Sequence, residues 1–292
     1  TPSADPIRDR YCIYIVSPDN HIHSQAFDDL GVCLHHAFLQ LGYLAPIVHY
    51  PWQISGTPIV LGANLLPHNK AIKIPEHSII FNLEQIFEGS PWLNQEYLDL
   101  LKNHPVWDYS RQNMEELGRL GIGQVTYCGI GYIPELVSIT ELPEGKQDID
   151  VLFYGIINTR RQIILQQLEQ HSLRVKTCCD VYGRRRDRLI ARAKMVINIH
   201  FYESKVMEIV RLAHLLANRK FIISERGQDR EMEHPFEEGI VFSDYDLLTE
   251  ACLHYVDEPK KREKIASKGH EIFRKYCQVE FLKRAVERQN SS

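Results

Sequence analysis

Residues 150–161 read DVLFYGIINTRR, residues 182–200 read YGRRRDRLIARAKMVINIH, and residues 206–225 read VMEIVRLAHLLANRKFIISE. Within this stretch the apolar runs 150–155, 194–199 and 220–224 predict three strands, because continuous apolar runs suit a parallel sheet covered on both faces. Each run meets a polar, charge-bearing segment at its carboxyl end. Ligands of open parallel sheets collect along that edge, which brings Gly155, Asn158, Arg160, Arg161, His200, Glu208 and Arg211 forward as candidates. Guanidinium groups with a carboxylate suit a phosphate-and-ribose ligand.

The rest of the chain gives that edge its setting. With 292 residues, 44% of them hydrophobic, and a formal charge of −4, the chain predicts two domains rather than one. The near-neutral balance gives no basic surplus of the kind that nucleic-acid binders carry, so no nucleic-acid partner is expected. Seven cysteines without a C-x-x-C spacing fit a reducing, cytoplasmic setting rather than zinc or disulfide chemistry. The polar start around Pro2 and Pro6 reads as a loose arm. No transmembrane segment is expected, since no run approaches the ~20 apolar residues that a bilayer requires; peripheral contact with a membrane stays open.

Taken in order, strands are expected over 11–16, 43–48, 58–61, 78–82 and 125–128. Helices are expected over 24–41, where Phe27, Leu30, Leu34, Phe38 and Leu41 recur at helical spacing ahead of Gly42, and over 94–102 and 111–120. Gly129, Gly131, Pro134, Pro143 and Gly145 then interrupt any period. A second alternation follows, with strands over 151–154, 173–176, 195–199, 221–224 and 240–242 and helices over 246–256 and 260–276. The resulting division is 1–138 as one Rossmann-like domain, 139–149 as a linker, 150–276 as a second, and 277–292 as a helix returning to the first. The fold class is α/β: two parallel-sheet domains facing each other across a cleft, where small-molecule sites are favoured.

DVLFYGIINTRR, LIARAKMVINIH, the MEIVRLAHLLANRKFIISE unit and the tail from Asp246 resemble the CgeB-like "glycosyl transferases group 1" carboxy-terminal domain of GT-B glycosyltransferases. FNLEQ (81–85), WDYS (107–110) and GIGYIPEL (129–136) extend the resemblance into the first half. It implies a donor nucleotide-diphosphate sugar bound by the second domain and an acceptor (glycan, lipid-linked sugar, protein or small molecule) served by the first. The chain departs from the E-x7-E pattern of the wider superfamily: Glu203 and Glu208 are five apart, and Asn218-Arg219-Lys220 stands where G-x-P precedes the strand.

The chemistry can be weighed separately. Sugar transfer from a nucleotide diphosphate builds negative charge on the departing phosphate, which Arg160, Arg161 and a helix N-terminus would meet. Glu208 and Arg211, three apart on a helix, read either as ribose and phosphate contacts or as a local ion pair. His200 reads first as a strand-end residue. In the first half, His23 and Glu84 are rival general bases, with Asp19 orienting His23 and with Asn82 and Asp108 on the acceptor side; Trp92, Tyr97 and Trp107 read as core. Two Asp-x-Asp triplets, 148–150 and 244–246, read as structural, so no obligatory metal and no cofactor are expected. The run 184–188 reads as the start of a surface helix. A non-catalytic nucleotide-sugar or glycan binding module is the alternative function. A dinucleotide enzyme is disfavoured, because no G-x-G-x-x-G follows a strand.

Overall fold

The structure, a computed structural model, describes residues 11–18 and 22–291. The arm around Pro2 and Pro6, along with Asp19 and His21, lies outside the described residues. Two units are present: Thr1–Glu135 with Cys277–Ser292, and Leu136–Tyr276.

The first unit is built on β1 (Tyr11–Ile15), β2 (Ile47–Val48), β3 (Thr57–Leu61), β4 (Ile79–Asn82), β5 (Val106–Asp108) and β6 (Val125–Tyr127). They form one parallel sheet in the order β2-β1-β3-β4-β5-β6. Every residue of β1 is buried, as expected of a strand covered on both faces. Helix α1 (Asp28–Gln40) buries Leu30, Cys33, Leu34, Ala37 and Phe38, and stops because Gly42 takes φ +84°. There the Tyr43 amide donates to the Phe38 carbonyl at 2.9 Å and the Gly42 amide to Leu39 at 3.0 Å, the left-handed helix ending that glycine makes cheap. That turn shortens the strand expected over 43–48 to two residues. Helices α2 (Gln95–Asn103) and α3 (Arg111–Arg119) flank β5, a three-residue strand that sequence periodicity missed because it is too short to show a period. Tyr97 and Trp107 are fully buried and Trp92 packs on the same core.

The second unit runs β7 (Ile149–Tyr154), α4 (Thr159–Gln170), β8 (Val175–Cys178), α5 (Gly183–Arg192), β9 (Ala193–Asn198), α6 (Ile209–Ala217), β10 (Ile222–Glu225), α7 (Arg230–Glu233), β11 (Val241–Ser243), α8 (Leu248–Tyr255) and α9 (Pro259–Phe273). Its parallel sheet has the order β11-β10-β9-β7-β8. From β7 the chain steps outward to β8, then returns to place β9 on the other side of β7. The winding therefore reverses between β7 and β9, and loops diverge there to leave room for a ligand.

A last helix, α10 (Gln278–Ser291), completes the first unit. Gln278 has no exposed surface. It accepts from the Gly131 amide at 2.8 Å, donates to the Gly129 carbonyl at 3.1 Å, and its own amide donates to Tyr132 at 3.0 Å. Phe281 lies so close to Gly129 that a Cβ there would sit 2.9 Å from its ring.

Candidate functional site

The reversal between β7 and β9 carries a dense ionic cluster. Gly155 leaves β7 with φ +137°, a conformation that side-chain-bearing residues rarely adopt, and a Cβ there would lie 2.8 Å from the Arg211 guanidinium. Asn158 then caps α4, its Oδ1 accepting from the Arg161 amide at 3.0 Å while its Nδ2 donates to the Phe201 carbonyl at 3.0 Å. This cap fixes where the two following arginines point.

Arg160 reaches toward β10. It donates to Glu225 at 2.7 and 2.5 Å and to the His200 carbonyl at 3.0 Å, and its guanidinium lies 4.2 Å above the Tyr245 ring, whose hydroxyl donates to the Arg160 carbonyl at 2.7 Å. Glu225 is 0% exposed and also meets Lys205 Nζ at 3.0 Å and the His200 amide at 3.0 Å. Burial alone would raise the Glu225 carboxyl, but hydrogen bonds from Arg160 and Lys205 hold it below its ordinary value.

Arg161 turns the other way and is buried. It donates to the carbonyls of Ile199 at 2.8 Å and Ile156 at 2.7 Å and to Glu208 at 3.0 Å, with Phe153 and Phe201 flanking its guanidinium. Burial lowers its pKa to about 10. Glu208, at the amino end of α6, is shared with Arg211 at 3.2 Å, and Arg211 continues to Asn198 Oδ1 at 3.2 Å. Burial again opposes the Glu208 charge, while Arg211 and Arg161 hold its carboxyl down. Four cations, Arg160, Arg161, Lys205 and Arg211, thus share two carboxylates, the buried Glu225 and the half-buried Glu208.

The seven residues singled out on this edge therefore do lie together. Their roles separate by exposure: Arg160 and Arg211 keep 21% and 18% of their side-chain surface, whereas Arg161 keeps 3%. Arg161 is thus engaged by Glu208 and the 155–158 turn rather than presented at the surface. His200 is buried, burial lowers its pKa, and its Nε2 meets the Glu225 carbonyl at 3.1 Å. Sequence reading missed Glu225, Lys205, Asn198 and Tyr245. Only Glu225 carried a signal, since it ends a buried strand as His200 does.

The first unit holds its candidates differently. His23 lies in the turn Ile22–Phe27 ahead of α1 and is half-buried. Asn82 and Asp108 have no exposed surface, so their side chains cannot meet an acceptor as expected from sequence; they hold a loop instead. Asn82 Nδ2 donates to Asp108 at 2.7 Å and to the Glu84 carbonyl at 3.0 Å, Tyr97 donates to Asn82 at 2.8 Å, and Asn113 donates to the Glu84 carbonyl at 3.0 Å. The loop so clamped carries half-buried Glu84, whose carboxyl burial raises to about 7. Burial likewise raises Asp108 to about 7 against the hydrogen bonds that it accepts from Asn82, Ser110 and Asn113.

The first Asp-x-Asp triplet is engaged in the scaffold. Asp148 pairs with Arg192 at 2.5 Å, and Asp150 with Arg174 at 2.7 Å and Lys194 at 3.0 Å, at the amino end of the second sheet. Asp244 stands at the cap position of the turn Tyr245–Leu247 ahead of α8 without a side-chain cap, and Asp246 lies within that turn.

Residues 160–280 match the family described as glycosyl transferase-like. Among solved structures, HepE of Anabaena, in complex with UDP and glucose, superposes with a TM-score of 0.62 at 10% identity over 98% of this chain and 100% of that one. A TarM mutant of S. aureus, in complex with Fondaparinux, alpha-GlcNAc-glycerol and UDP, gives a TM-score of 0.56 at 10% identity over 80% of this chain and 55% of TarM. The uncharacterized protein L140 of Acanthamoeba polyphaga mimivirus is 28% identical over 191 residues, 62% of this chain. The chain spans 59% of the length of that relative.

Proposed function

We propose that this chain, a glycosyltransferase by family and GT-B by fold, moves a sugar from a nucleoside-diphosphate donor held at the β7/β9 edge. The observation that carries the reading is the sharing of two carboxylates, one buried and one half-buried, among four cations where the winding of the second sheet reverses. Such an edge is left cationic and attracts an anion. The UDP bound by HepE and by TarM supports a nucleotide donor.

In this reading Arg160 and Arg211 take the diphosphate, the capped amino end of α4 adds its amide groups and dipole, and Arg161 keeps Glu208 and the Gly155 turn in place. Charge that develops on the departing diphosphate is then met by fixed guanidinium groups that need no reorganisation, with no obligatory metal. Glu208, already an acceptor for two arginines, is the group for the ribose hydroxyls. Glu84 is the general base on the acceptor side, because a carboxyl titrating near 7 can both take and release a proton under ordinary conditions. The acceptor itself stays unnamed.

The test is a panel of nucleotide sugars with released nucleoside diphosphate as the readout. Slow donor hydrolysis is expected for at least one of them. Arg160→Met with Arg211→Met should raise the Kd for that nucleoside diphosphate by about a hundredfold or more, since each charge-assisted contact is worth roughly 1.5–3 kcal/mol. Unchanged affinity in the double variant would sink the proposal, and tight binding with no turnover would leave a binding module.

A further inference from the structure

The arginine run of α5 is not used by the donor edge, and it lines a cavity of its own. A cleft of about 900 Å³ lies within the second unit, between α5 and the segment 138–142. Its lining is mostly hydrocarbon, from Ile139, Leu142, Leu189 and Ala191, with Ser138, Thr140 and the paired Asp187 among it and with Arg184, Arg185 and Arg188 as its cations without an ion pair among the described residues. Residues 184 and 188 are one helical turn apart and 185 lies three before 188, so the three guanidinium groups share a face. All three are exposed, and none forms an ion pair among the described residues. The wall behind them is rigid: Asp187 accepts from Arg186 at 2.8 Å, from His214 at 3.0 Å and from Ser138 at 2.9 Å, and Asn218 Oδ1 accepts from the amides of Ser138 and Ile139 at 2.8 and 2.9 Å. Val137, beside the cleft, is 50% exposed.

We propose that this cleft docks the second unit on an anionic membrane, taking the phosphate head and the first carbons of an anionic phospholipid. Charge complementarity selects an anion, and the lining selects which kind. A glycan or an acidic peptide needs hydrogen-bonding partners along its length, and apart from the arginines the lining offers Thr140 beside a Ser138 hydroxyl already given to Asp187. A phosphate diester joined to hydrocarbon matches the arginines and the apolar lining at once. The segment provides contact without crossing, consistent with the finding that no described helix is long and apolar enough to span a bilayer. Because Asn158, Arg160, Glu208 and Arg211 take no part, donor binding and docking can be separated.

The experiment is co-sedimentation of the full chain with vesicles of phosphatidylcholine alone and of phosphatidylcholine with phosphatidylglycerol. Binding to the second and not the first is expected. Each arginine near an anionic surface is worth about fivefold in partitioning, so Arg184→Gln/Arg185→Gln/Arg188→Gln should lose about a hundredfold. Leu142→Ser should lose severalfold, with thermal midpoint and nucleoside-diphosphate affinity unchanged in both variants. Failure to bind the anionic vesicles overturns the proposal, as does binding that survives the triple substitution. Binding that poly-glutamate displaces and Leu142→Ser leaves intact overturns it too, in favour of an acidic polymer.

Discussion

Glu208 is the residue on which the proposed donor edge turns. It neutralises a guanidinium that is nearly inaccessible to water and at the same time steadies one that is not. Glu208→Gln leaves Arg161 buried without its counter-charge, which costs about 3 kcal/mol; a lowered urea midpoint at unchanged slope checks this. Glu84 makes a pH prediction. Its folded-state pKa, about 7, lies above its ordinary value of 4.5. The stabilising contribution is therefore complete below about 4.5 and is lost as pH rises through about 7, by at most about 3 kcal/mol. Glu84→Gln should flatten stability between those values, and if Glu84 is the base, kcat/KM of the native enzyme should fall tenfold per pH unit below 7 while the variant shows no such limb. The arginines and Glu208 were legible in the sequence because strand ends and i, i+3 spacing are local. Glu225 carried only its place at a strand end, and Lys205 carried nothing, because Arg160, Glu225 and Lys205 come together only after three separate strands have been aligned.

At the scale of elements, the turn between α6 and β10 is, among the described residues, the one with a left-handed arginine. In Asn218-Arg219-Lys220, which stands where the pattern has G-x-P, the middle residue Arg219 takes φ +52°, a left-handed conformation that costs a side-chain-bearing residue about 1 kcal/mol. Arg219 is exposed and forms no ion pair among the described residues. Arg219→Gly should therefore stabilise the unit by somewhat under that amount, read as a small rise in Tm. The long strands and helices were legible through continuous apolar runs and helical spacing. β5 was not, for three residues between two helices leave no pattern even though all three are fully covered. Likewise the 43–48 run looked like a strand by composition, but the turn that ends α1 consumed half of it.

Across the whole molecule, the two-sheet α/β character follows from alternation alone, whereas the identity of the polar groups that line each edge depends on sheet order. The order β9-β7-β8 cannot be read from sequence, and it is what sets Arg160 and His200 side by side. The place of α10 in the first unit is held largely by one side chain. Gln278→Ala strands the Gly131 amide and the Gly129 carbonyl in a dry interior, at a cost of about 2–3 kcal/mol. Hydrogen exchange should then quicken in α1 and β6 and leave β7 and β9 as before.

That helix also has a consequence for biosynthesis. A ribosome releases β1 to β6 first, yet their covering helix emerges only after all of residues 136–276 have been translated. The earlier-made sheet must wait with one flank bare while the later-made one, encoded without interruption, can fold to completion; nascent chains halted before residue 278 should for that reason engage chaperones through β6 and α1.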